Sequence, residues 1–316
     1  MKTPHKAAGQ GVQLVTIGPE AAGQRLDNFL LRQLKGVPKS HVYRLLRKGE
    51  VRVNKGRAKP DRRLEEGDTV RLPPVARAEP TATPEVSPGL GAALAAAILF
   101  EDEDLLVLNK PAGLPVHAGS GVSLGVIEAM RSLRPNQPFL ELAHRLDRDT
   151  SGCLILAKSR RALTDLHELL RDGGVDKRYL ALVAGRWQGG ARRVTEGLSR
   201  GGRQGEVRLV QVDEDGKAAE SLFEPERRFA TATLMAVKIG TGRTHQIRVH
   251  AAHVGHPVAG DRRYGDFEFN REMKALGLKR LFLHAESLAF RLPTSGKVYR
   301  VKAPLDDELK AVLECL

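Results

Sequence analysis

The chain has 316 residues, and its 51 Lys and Arg against 38 Asp and Glu leave a net charge of +13 and a pI near 10.0. With 41% hydrophobic and 28% charged residues, the composition excludes a disordered chain and a membrane-embedded one. The excess of positive charge indicates a polyanionic partner.

Signals for membranes, disulfides and cofactors are absent from the sequence. The longest uncharged apolar run, residues 90–100, is far shorter than the roughly 20 residues of a membrane span, and residues 1–15 hold no signal-peptide core. We therefore expect a cytoplasmic protein. Cys153 and Cys315 are far apart and outside any C-x-x-C pattern, which supports neither a disulfide framework nor a zinc site. No Walker A or dinucleotide-binding glycine motif occurs, so we expect no nucleotide cofactor.

Positive charge concentrates in residues 25–77, which hold 15 Lys and Arg against 6 Asp and Glu, a net +9. Apolar residues at helical spacing predict a helix over 26–34, and a second helix is predicted with Ser40 as N-cap and Gly49 just after its end. A small sheet should follow, with strands and a turn at 51–53, 54–56 and 70–72. The segment is thus predicted to be a helix pair on a small sheet.

Six cations of this segment are candidate RNA-binding residues. They are Lys39, Arg44, Arg47, Lys48, Arg52 and Lys55. A charge run is more often only a solvated face, but here the excess is one-sided, which favours nucleic-acid binding.

A proline-rich stretch follows the basic segment. Residues 73–98 contain five of the 17 prolines, no aromatic residue and an Ala-rich end. This composition is typical of a linker. We predict three parts: an N-terminal tail and RNA-binding domain at 1–77, a linker at 78–97, and a catalytic domain at 98–316.

Beyond residue 98 the pattern predicts short strands with interspersed helices. Strands are predicted at 98–100, 105–108, 153–157 and 179–183, and an amphipathic helix over 163–170. Strands and helices do not alternate regularly enough for a doubly wound fold. We therefore predict an α+β domain with a mainly antiparallel mixed sheet flanked by helices and loops.

The densest polar cluster is HRLDRDTSG at 144–152, directly before a buried strand. Asp147 lies between Arg145 and Arg148, and nearby cations favour the ionised form of a carboxylate, which can act as a nucleophile or a general base. The residues alone leave a second interpretation open, in which this cluster only satisfies the hydrogen bonds of a turn.

A second polar string, GRTHQIRVH, occupies 242–250. Thr244 is a candidate N-cap for a helix that carries Arg248 one turn later, where a fixed guanidinium could pair with a carboxylate. His250 and His253 have the spacing of two metal ligands, but no acidic residue lies in the run to complete a site. We therefore expect no metal.

Residues 197–201, Gly-Leu-Ser-Arg-Gly, fit the G-x-S-x-G pattern of a hydrolase nucleophile elbow. That motif requires a buried strand before it and a helix after it. The flanking residues are basic and glycine-rich instead, so we predict a flexible basic loop.

The basic segment resembles the αL RNA-binding domain, through residues 25–57 and 64–72. The resemblance implies that RNA is held by its phosphates and shape. Such contacts position an RNA without selecting a sequence.

The rest of the chain resembles the RluA-type pseudouridine synthases through six motifs in that family's order. They are KPAGLPVHAGSG (110–121), HRLDRDTSG (144–152), DKRYLALV (176–183), GRTHQIRVH (242–250), DRRYGD (261–266) and RLFLHA (280–285). HRLDRDTSG is a highly specific signature. With the αL domain in front, the chain is most similar to the RluC-type branch, which acts on large-subunit (23S) ribosomal RNA.

This resemblance implies isomerisation of uridine to pseudouridine by base flipping, without a cofactor, by a monomer. By motif match Asp147 is the nucleophile, Tyr179 lies against the target base, and Arg248 is the salt-bridge partner of Asp147. Arg145 matches the residue that fills the space left by the flipped base. Without the family match Tyr179 would be a core aromatic of its strand.

Some roles stay open at this point. Lys110 and His117 match the first motif, in which a structural role and a catalytic one are equally compatible with the sequence. The main alternative function is a non-catalytic assembly factor that binds ribosomal RNA, and a metal-dependent RNA hydrolase built on the histidines is a more distant one.

Overall fold

The computed structural model describes residues 11–34, 36–75, 85–119, 124–204 and 207–316, with backbone only for 202–204, 207 and 208. The chain divides into two compact units, Met1–Glu85 and Val86–Leu316. No helix among the described residues has the length and apolar character needed to cross a bilayer.

The first unit is a helix pair on a small antiparallel sheet, as the sequence predicts. Its described elements are β1 (Gln13–Thr16), α1 (Leu26–Gln33), α2 (Lys39–Lys48), β2 (Arg52–Val53) and β3 (Thr69–Leu72), with strand order β1-β3-β2. Leu26, Leu30 and Val42 are fully buried in its core. Strand β1 is not foreseen, because its four residues are too short for a clear pattern.

The two helices are held together by a buried carboxylate. Asp27 on α1 accepts hydrogen bonds from Arg25 Nη2 at 2.8 Å and from Tyr43 Oη on α2 at 2.9 Å. The Arg25 guanidinium lowers the pKa of Asp27 against the opposing effect of burial, so the carboxylate stays charged and paired. Helix α2 is thereby fixed on its partner.

The ends of α2 follow local backbone rules. Its N-cap is Pro38 rather than the predicted Ser40, because the Pro38 carbonyl accepts the His41 and Val42 N–H groups at 2.8 and 3.2 Å. The helix ends at Gly49, as predicted, where a φ of 70° satisfies the last carbonyls in a conformation that glycine adopts without strain.

The second unit contains one large sheet, a hairpin and six helices within the described ranges. In chain order the elements are α3 (Pro88–Ala96), β4 (Ile98–Glu101), β5 (Leu105–Lys110), α4 (Val126–Leu133), β6 (Glu141–Leu142), β7 (Ser151–Ala157), α5 (Arg160–Asp172), β8 (Asp176–Ala184), β9 (Arg192–Val194), β10 (Leu198–Gln204), β11 (Val207–Val212), β12 (Ser221–Arg228), β13 (Ala232–Ile239), α6 (Gln246–His253), α7 (Phe267–Ala275), β14 (Leu283–Arg291), β15 (Val298–Lys302) and α8 (Asp307–Cys315).

The predicted linker at 78–97 is wrong over its second half, which is helix α3. Ser87 Oγ accepts the Leu90 N–H at the start of this helix, Pro88 occupies its first turn, and Leu94 is fully buried in the core of the second unit. The Ala and Leu residues that favour a helix outweigh the prolines once one apolar side chain is buried. Residues 76–84 of the stretch lie outside the described residues.

The ten described strands of the large sheet follow the order β4-β5-β7-β14-β8-β13-β12-β9, with β15 paired to β14 and β6 to β7. The pair β7 and β14 is parallel, and the other neighbouring strands of this sheet are antiparallel. This confirms the predicted α+β class with a mainly antiparallel sheet. Both faces are covered: Leu106 and Leu154 pack in one core, and Leu105 and Cys153 in another.

The segment predicted as a flexible basic loop around 197–201 is instead a β-hairpin. Strands β10 and β11 pair antiparallel from Leu198 with Val212 onward. Its apolar residues Leu198 and Val210 pack beside Val249 of α6, and this packing gives the glycine-rich segment a fixed conformation.

The two cysteines are ordinary thiols, as predicted. Cys153 is fully buried in β7, and burial raises the pKa of its thiol to about 12, which suppresses the reactive thiolate. Cys315 is exposed at the end of α8.

Candidate active site and RNA-binding surface

The loop that carries Asp147 is fixed by backbone and side-chain hydrogen bonds on both sides. The Thr150 N–H donates to the Asp147 carbonyl at 3.2 Å, and the Gly113 N–H donates to the Arg148 carbonyl at 2.9 Å. His144, whose pKa is lowered to about 4 by burial, accepts the Ile155 N–H at Nε2. The loop therefore presents Asp147 from a rigid support.

Lys110 ties the first motif to this loop. Its ammonium group is fully buried and donates to the carbonyl oxygens of Pro111, Leu114 and Arg148 at 2.7, 2.9 and 3.0 Å. Burial lowers the pKa of Lys110 to about 7. Its contacts are those of a structural brace, and neither Lys110 nor the exposed His117 lines the cleft that contains Asp147.

The centre of the sheet brings Tyr179 to the same place. Parallel pairing sets Gly152 of β7 opposite Ala285 of β14, and antiparallel pairing sets Ala285 opposite Tyr179 of β8. Gly152 has a φ of 108°, and a Cβ there would overlap the Ala285 carbonyl, so this close approach requires glycine. Asp147, on the loop before β7, and Tyr179 of β8 consequently line one cleft.

Tyr179 is both a core residue and part of the cleft. Its side chain belongs to the apolar core of the sheet and is 8% exposed. Burial and the negative charge of Asp147 raise the pKa of the Tyr179 hydroxyl, which therefore stays protonated. Tyr179 can therefore be a core aromatic and also lie against the target base, because an edge of a core aromatic can face a ligand.

Arg248 makes the predicted contact with Asp147, and a second contact that the sequence did not predict. Its Nη1 lies 3.3 Å from Asp147 Oδ2, while Nε and Nη2 donate to the two oxygens of Asp261 at 2.7 and 2.8 Å. Burial would raise the pKa of Asp261, but the Arg248 guanidinium and two backbone N–H groups hold it below its ordinary value. Asp261 heads the DRRYGD motif, which is the sequence signal for it.

The cations next to Asp147 in the sequence do not pair with it. Arg148 is exposed and bonded to Asp149 at 3.0 Å, and Arg145 is exposed at the rim of the cleft. Within the described residues, Arg248 is the arginine at ion-pair distance from Asp147. The positive charge beside Asp147 therefore comes from Arg248 and not from the predicted sequence neighbour Arg148, which pairs with Asp149.

Helix α6, which carries Arg248, begins one residue later than predicted. Its N-cap is His245, with a left-handed φ of 55°, rather than Thr244. The helix is buried on nearly all sides from Gln246 to Ala251, and Gln246 Oε1 accepts the Arg243 N–H at 3.0 Å. The Gln246 side chain thus accepts a backbone hydrogen bond at the start of the helix, which is the role expected of the Thr244 side chain.

His245 and Tyr264 are site residues to which the sequence analysis gave no role. His245 Nε2 lies 3.8 Å from Asp147 Oδ2, and its Nδ1 lies 2.8 Å from Tyr264 Oη. Tyr264 also accepts the Val210 N–H of β11 at 3.0 Å and packs under the Arg248 guanidinium. Burial lowers the pKa of His245, so its ring is neutral near pH 7.

The histidines do not gather into a metal site. Both ring nitrogens of His250 are engaged at 3.0 Å, by Ser221 Oγ and by the Glu196 carbonyl, and His253 is exposed. No group of three His, Cys, Asp or Glu side chains lies in metal-binding arrangement within the described ranges.

The candidate RNA-binding cations of the first unit are all exposed. Across the part of the unit that the structure describes, none of the six has an acidic partner: Lys39, Arg44, Arg47, Lys48, Arg52 and Lys55. Arg52 bonds only to the carbonyls of Gly49 and Lys55, both at 3.3 Å. Their charge is available to a polyanion.

Comparison with known proteins agrees with this geometry. The family described as RNA pseudouridylate synthase matches residues 104–253, and the S4 domain matches residues 24–70. Ribosomal large subunit pseudouridine synthase C of Salmonella typhi is 55% identical over 98% of this chain and 98% of its own length. The chain belongs to the RNA pseudouridylate synthase family.

Other relatives extend the picture of this pseudouridylate synthase. The ribosomal large subunit pseudouridine synthase C of Pasteurella multocida is 53% identical over 100% of this chain and 97% of its own. The solved structure of human RNA Pseudouridylate Synthase Domain Containing 1 is similar with a TM-score of 0.59 and 26% identity, over 72% of this chain and 90% of that one. The family match contains Asp147, Tyr179 and Arg248, and ends before Asp261 and Tyr264.

Proposed function

We propose that this protein isomerises specific uridines of large-subunit (23S) ribosomal RNA to pseudouridine, with Asp147 as the nucleophile. The observation that carries the proposal is the cleft in which the Asp147 carboxylate lies 3.3 Å from a buried arginine and beside the Tyr179 ring. The names of the relatives at 53–55% identity support the choice of RNA.

The proposed reaction needs no oxidant and no energy source. The bond between C1′ and N1 breaks, the uracil turns while held in the cleft, and a bond forms between C1′ and C5. The proton that leaves C5 is balanced by the one that N1 gains. Asp147 supplies the electron pair for the first attack and recovers it when the product is released.

Arg248 supports this role of Asp147. Its guanidinium lies at ion-pair distance from the Asp147 carboxylate, where it can orient the attacking group and offset its charge. Asp261 fixes two of the guanidinium nitrogens and leaves the third to face Asp147. Asp261 thereby holds the Arg248 guanidinium in the orientation in which it faces Asp147.

The target base has to leave its stack before it can enter the cleft, at a cost of roughly a few kcal/mol. Arg145 is exposed at the cleft rim, where its side chain can enter the space left by the base. Tyr179 offers the flipped uracil an aromatic surface. The unpaired cations of the first unit would hold the surrounding RNA by its phosphates.

We propose that the protein acts as a monomer without a cofactor, because Asp147, Tyr179 and Arg248 of one chain line the same cleft and the isomerisation involves no net oxidation or reduction. We propose the cytoplasm as its location, since bacterial ribosomal RNA is made and assembled there.

The test is pseudouridine mapping of ribosomal RNA from cells with the gene, without it, and with Asp147→Asn. We expect a small set of large-subunit sites to lose modification in the second and third strains. Unchanged maps in all three strains would reject the proposal and favour a non-catalytic RNA-binding protein.

A further inference from the structure

A second cavity, of about 320 Å³, lies beside the cleft that contains Asp147. Arg248 lines both, and Arg148, which lines the second cavity, follows Asp147 directly in the chain. The other walls come from three separate segments, residues 112–113, 260–263 and 279–281. The cavity therefore lies next to the cleft that contains Asp147, and the same loop forms part of its wall.

The lining of this cavity is strongly cationic. It includes four arginines and one lysine besides Arg248, against the two carboxylates Asp149 and Asp261. Both carboxylates are already paired, Asp149 with Arg148 and Asp261 with Arg248. Neither carboxylate is left to balance the remaining cations.

Three of the cations are exposed, and their side chains form no ion pair among the residues that the structure describes, although the Lys279 backbone N–H donates to Glu308. They are Arg262, Arg263 and Lys279. Arg280, by contrast, is bonded to Asp306 at 2.6 Å. Like charges gathered in a concavity repel one another, and the repulsion is relieved when a polyanion enters.

We propose that this cavity binds backbone phosphates of the RNA strand next to the flipped nucleotide. The inference rests on the proposed function, because the strand that reaches this cavity is the one whose base occupies the cleft. A phosphate diester matches the chemistry, since arginine presents two parallel donors to its oxygens. The buried Asp261 does not repel it, because Arg248 neutralises that carboxylate.

The test compares two triple variants of the full chain. Arg262→Gln, Arg263→Gln and Lys279→Gln remove the three free cations. The control, Arg171→Gln, Arg300→Gln and Lys310→Gln, removes the same charge from exposed positions that line neither cavity. Thermal unfolding shows whether each variant is folded.

Binding of a large-subunit RNA fragment is measured across a salt series. Each lost phosphate contact should reduce the slope of log K against log salt by about 0.7–0.9, so the cavity variant should lose about two units of slope and bind at least tenfold more weakly. The control should keep the wild-type slope. Equal slopes for both variants and the wild type would overturn the inference.

A neutral methylphosphonate placed at single positions beside the target uridine locates the contact. In the wild type one such position should weaken binding about tenfold, and in the cavity variant the same substitution should change nothing further. If the cavity variant loses slope but the wild type forms no pseudouridine, the proposed function is rejected and the phosphate site stands. If the wild type forms pseudouridine but the slope of the cavity variant is unchanged, the phosphate site is rejected and the proposed function stands.

A second inference rests on a separate observation, the conformation of His245. This residue has φ 55° and ψ 17°, a left-handed conformation that is unfavourable for a non-glycine residue and concentrates at functional sites. The strained backbone places its ring between Asp147 and Tyr264.

The hydrogen bonds around Tyr264 favour one position for the imidazole proton. The Tyr264 oxygen accepts the Val210 N–H, and its own O–H is then free to donate to His245 Nδ1 at 2.8 Å. A neutral imidazole that accepts at Nδ1 carries its proton on Nε2. That nitrogen faces Asp147 Oδ2 at 3.8 Å.

We infer that His245 is a positioning residue, which directs its Nε2 proton toward Asp147 Oδ2, the oxygen that Arg248 also faces, so that Oδ1 is left to attack. Tyr264 selects the tautomer. The charged groups that face the ring are Asp147, Asp261, Arg248 and Arg263.

Nitrogen NMR of histidine-labelled full chain, assigned by difference with His245→Ala, reports the tautomer directly. We expect Nε2 protonated in the wild type and a mixture of tautomers in Tyr264→Phe. His245→Ala should lower kcat at least tenfold with KM for RNA near wild type, and His245→Gln, whose amide can donate, should recover part of it. The matched control is His253→Ala, an exposed residue on α6. A proton on Nδ1 in the wild type, or a wild-type kcat in His245→Ala, would overturn the inference.

Discussion

Arg248 is bound more closely by Asp261 than by Asp147, at 2.7 and 2.8 Å against 3.3 Å. The shorter contacts are bidentate and fully buried, and such pairs fix geometry as well as charge. The arginine is thus a rigid element of the fold with one nitrogen left for the cleft. This arrangement determines the expected effect of a substitution at Asp147, Arg248 or Asp261.

Asp147→Asn should abolish pseudouridine formation and leave RNA affinity within about twofold of wild type. The amide is nearly isosteric with the carboxylate but is not a nucleophile. Single-turnover assays with saturating RNA, alongside filter binding, measure both quantities. Turnover comparable to wild type would remove Asp147 from the mechanism.

Asp261→Asn should reduce the single-turnover rate by about 10- to 100-fold, because the freed guanidinium loses the orientation that keeps one nitrogen on Asp147. Arg248→Lys should lose a similar amount, since an ammonium group cannot bridge two carboxylates in a plane. If Arg248→Lys has the wild-type rate, the bidentate geometry is unimportant. Asp215→Asn, an exposed carboxylate outside the cleft, is the matched control.

Acid should destabilise the second unit through its buried histidines. The pKa of His144 is about 4 in the folded chain against an ordinary 6.5, so the unfolded chain takes up a proton that the folded chain does not. The free energy of unfolding should therefore fall as pH falls from about 6.5 to about 4. Denaturant unfolding at several pH values measures the slope.

The share of His144 in this slope can be isolated with His144→Gln, whose amide oxygen can still accept the Ile155 N–H. The variant should lose less stability between pH 6.5 and 4 than the wild type. His284 and His250, whose pKa values are also lowered by burial, keep their contribution in both proteins. Parallel slopes for wild type and variant would show that His144 is protonated equally in both states.

A chain that starts at Val86 should fold, because residues 86–316 form a compact unit with their own cores. It should bind ribosomal RNA more weakly and with a shallower salt dependence, because the six free cations of the first unit are removed. Circular dichroism and a salt series test both statements. An unchanged salt slope would mean that these cations are only a solvated face.

The sequence predicted those parts of the fold that rest on local patterns. The strands at 105–108, 153–157 and 179–183 and the helix over 163–170 are present, because each is a clear apolar run or stripe. Gly49 ends α2 for a purely local reason, the left-handed conformation of its backbone. The prediction that Asp147 is the nucleophile rests on the HRLDRDTSG loop and the family resemblance.

The features that the sequence did not reveal depend on contacts between distant segments. Asp261 and Tyr264 act through Arg248, His245 and Val210, and no local pattern shows which loop meets which helix. Residues 197–201 are predicted to be a flexible loop because the glycines are visible in the sequence, whereas the strand pairing and the contact of Leu198 with Val249 are not.

The parallel pairing of β7 with β14 also affects how the protein folds during its synthesis on the ribosome. Ser151 and its hydrogen-bond partner His284 are 133 positions apart, so the signature loop emerges long before the strand that supports it. At ordinary rates of translation the delay is on the order of ten seconds. Arg248 and Asp261 follow Asp147 by 101 and 114 positions, so for most of that interval Asp147 has no Asp261-anchored guanidinium, and until its end the sheet lacks β14. We therefore expect the second unit to become active only when synthesis is almost complete, whereas the first unit can fold earlier.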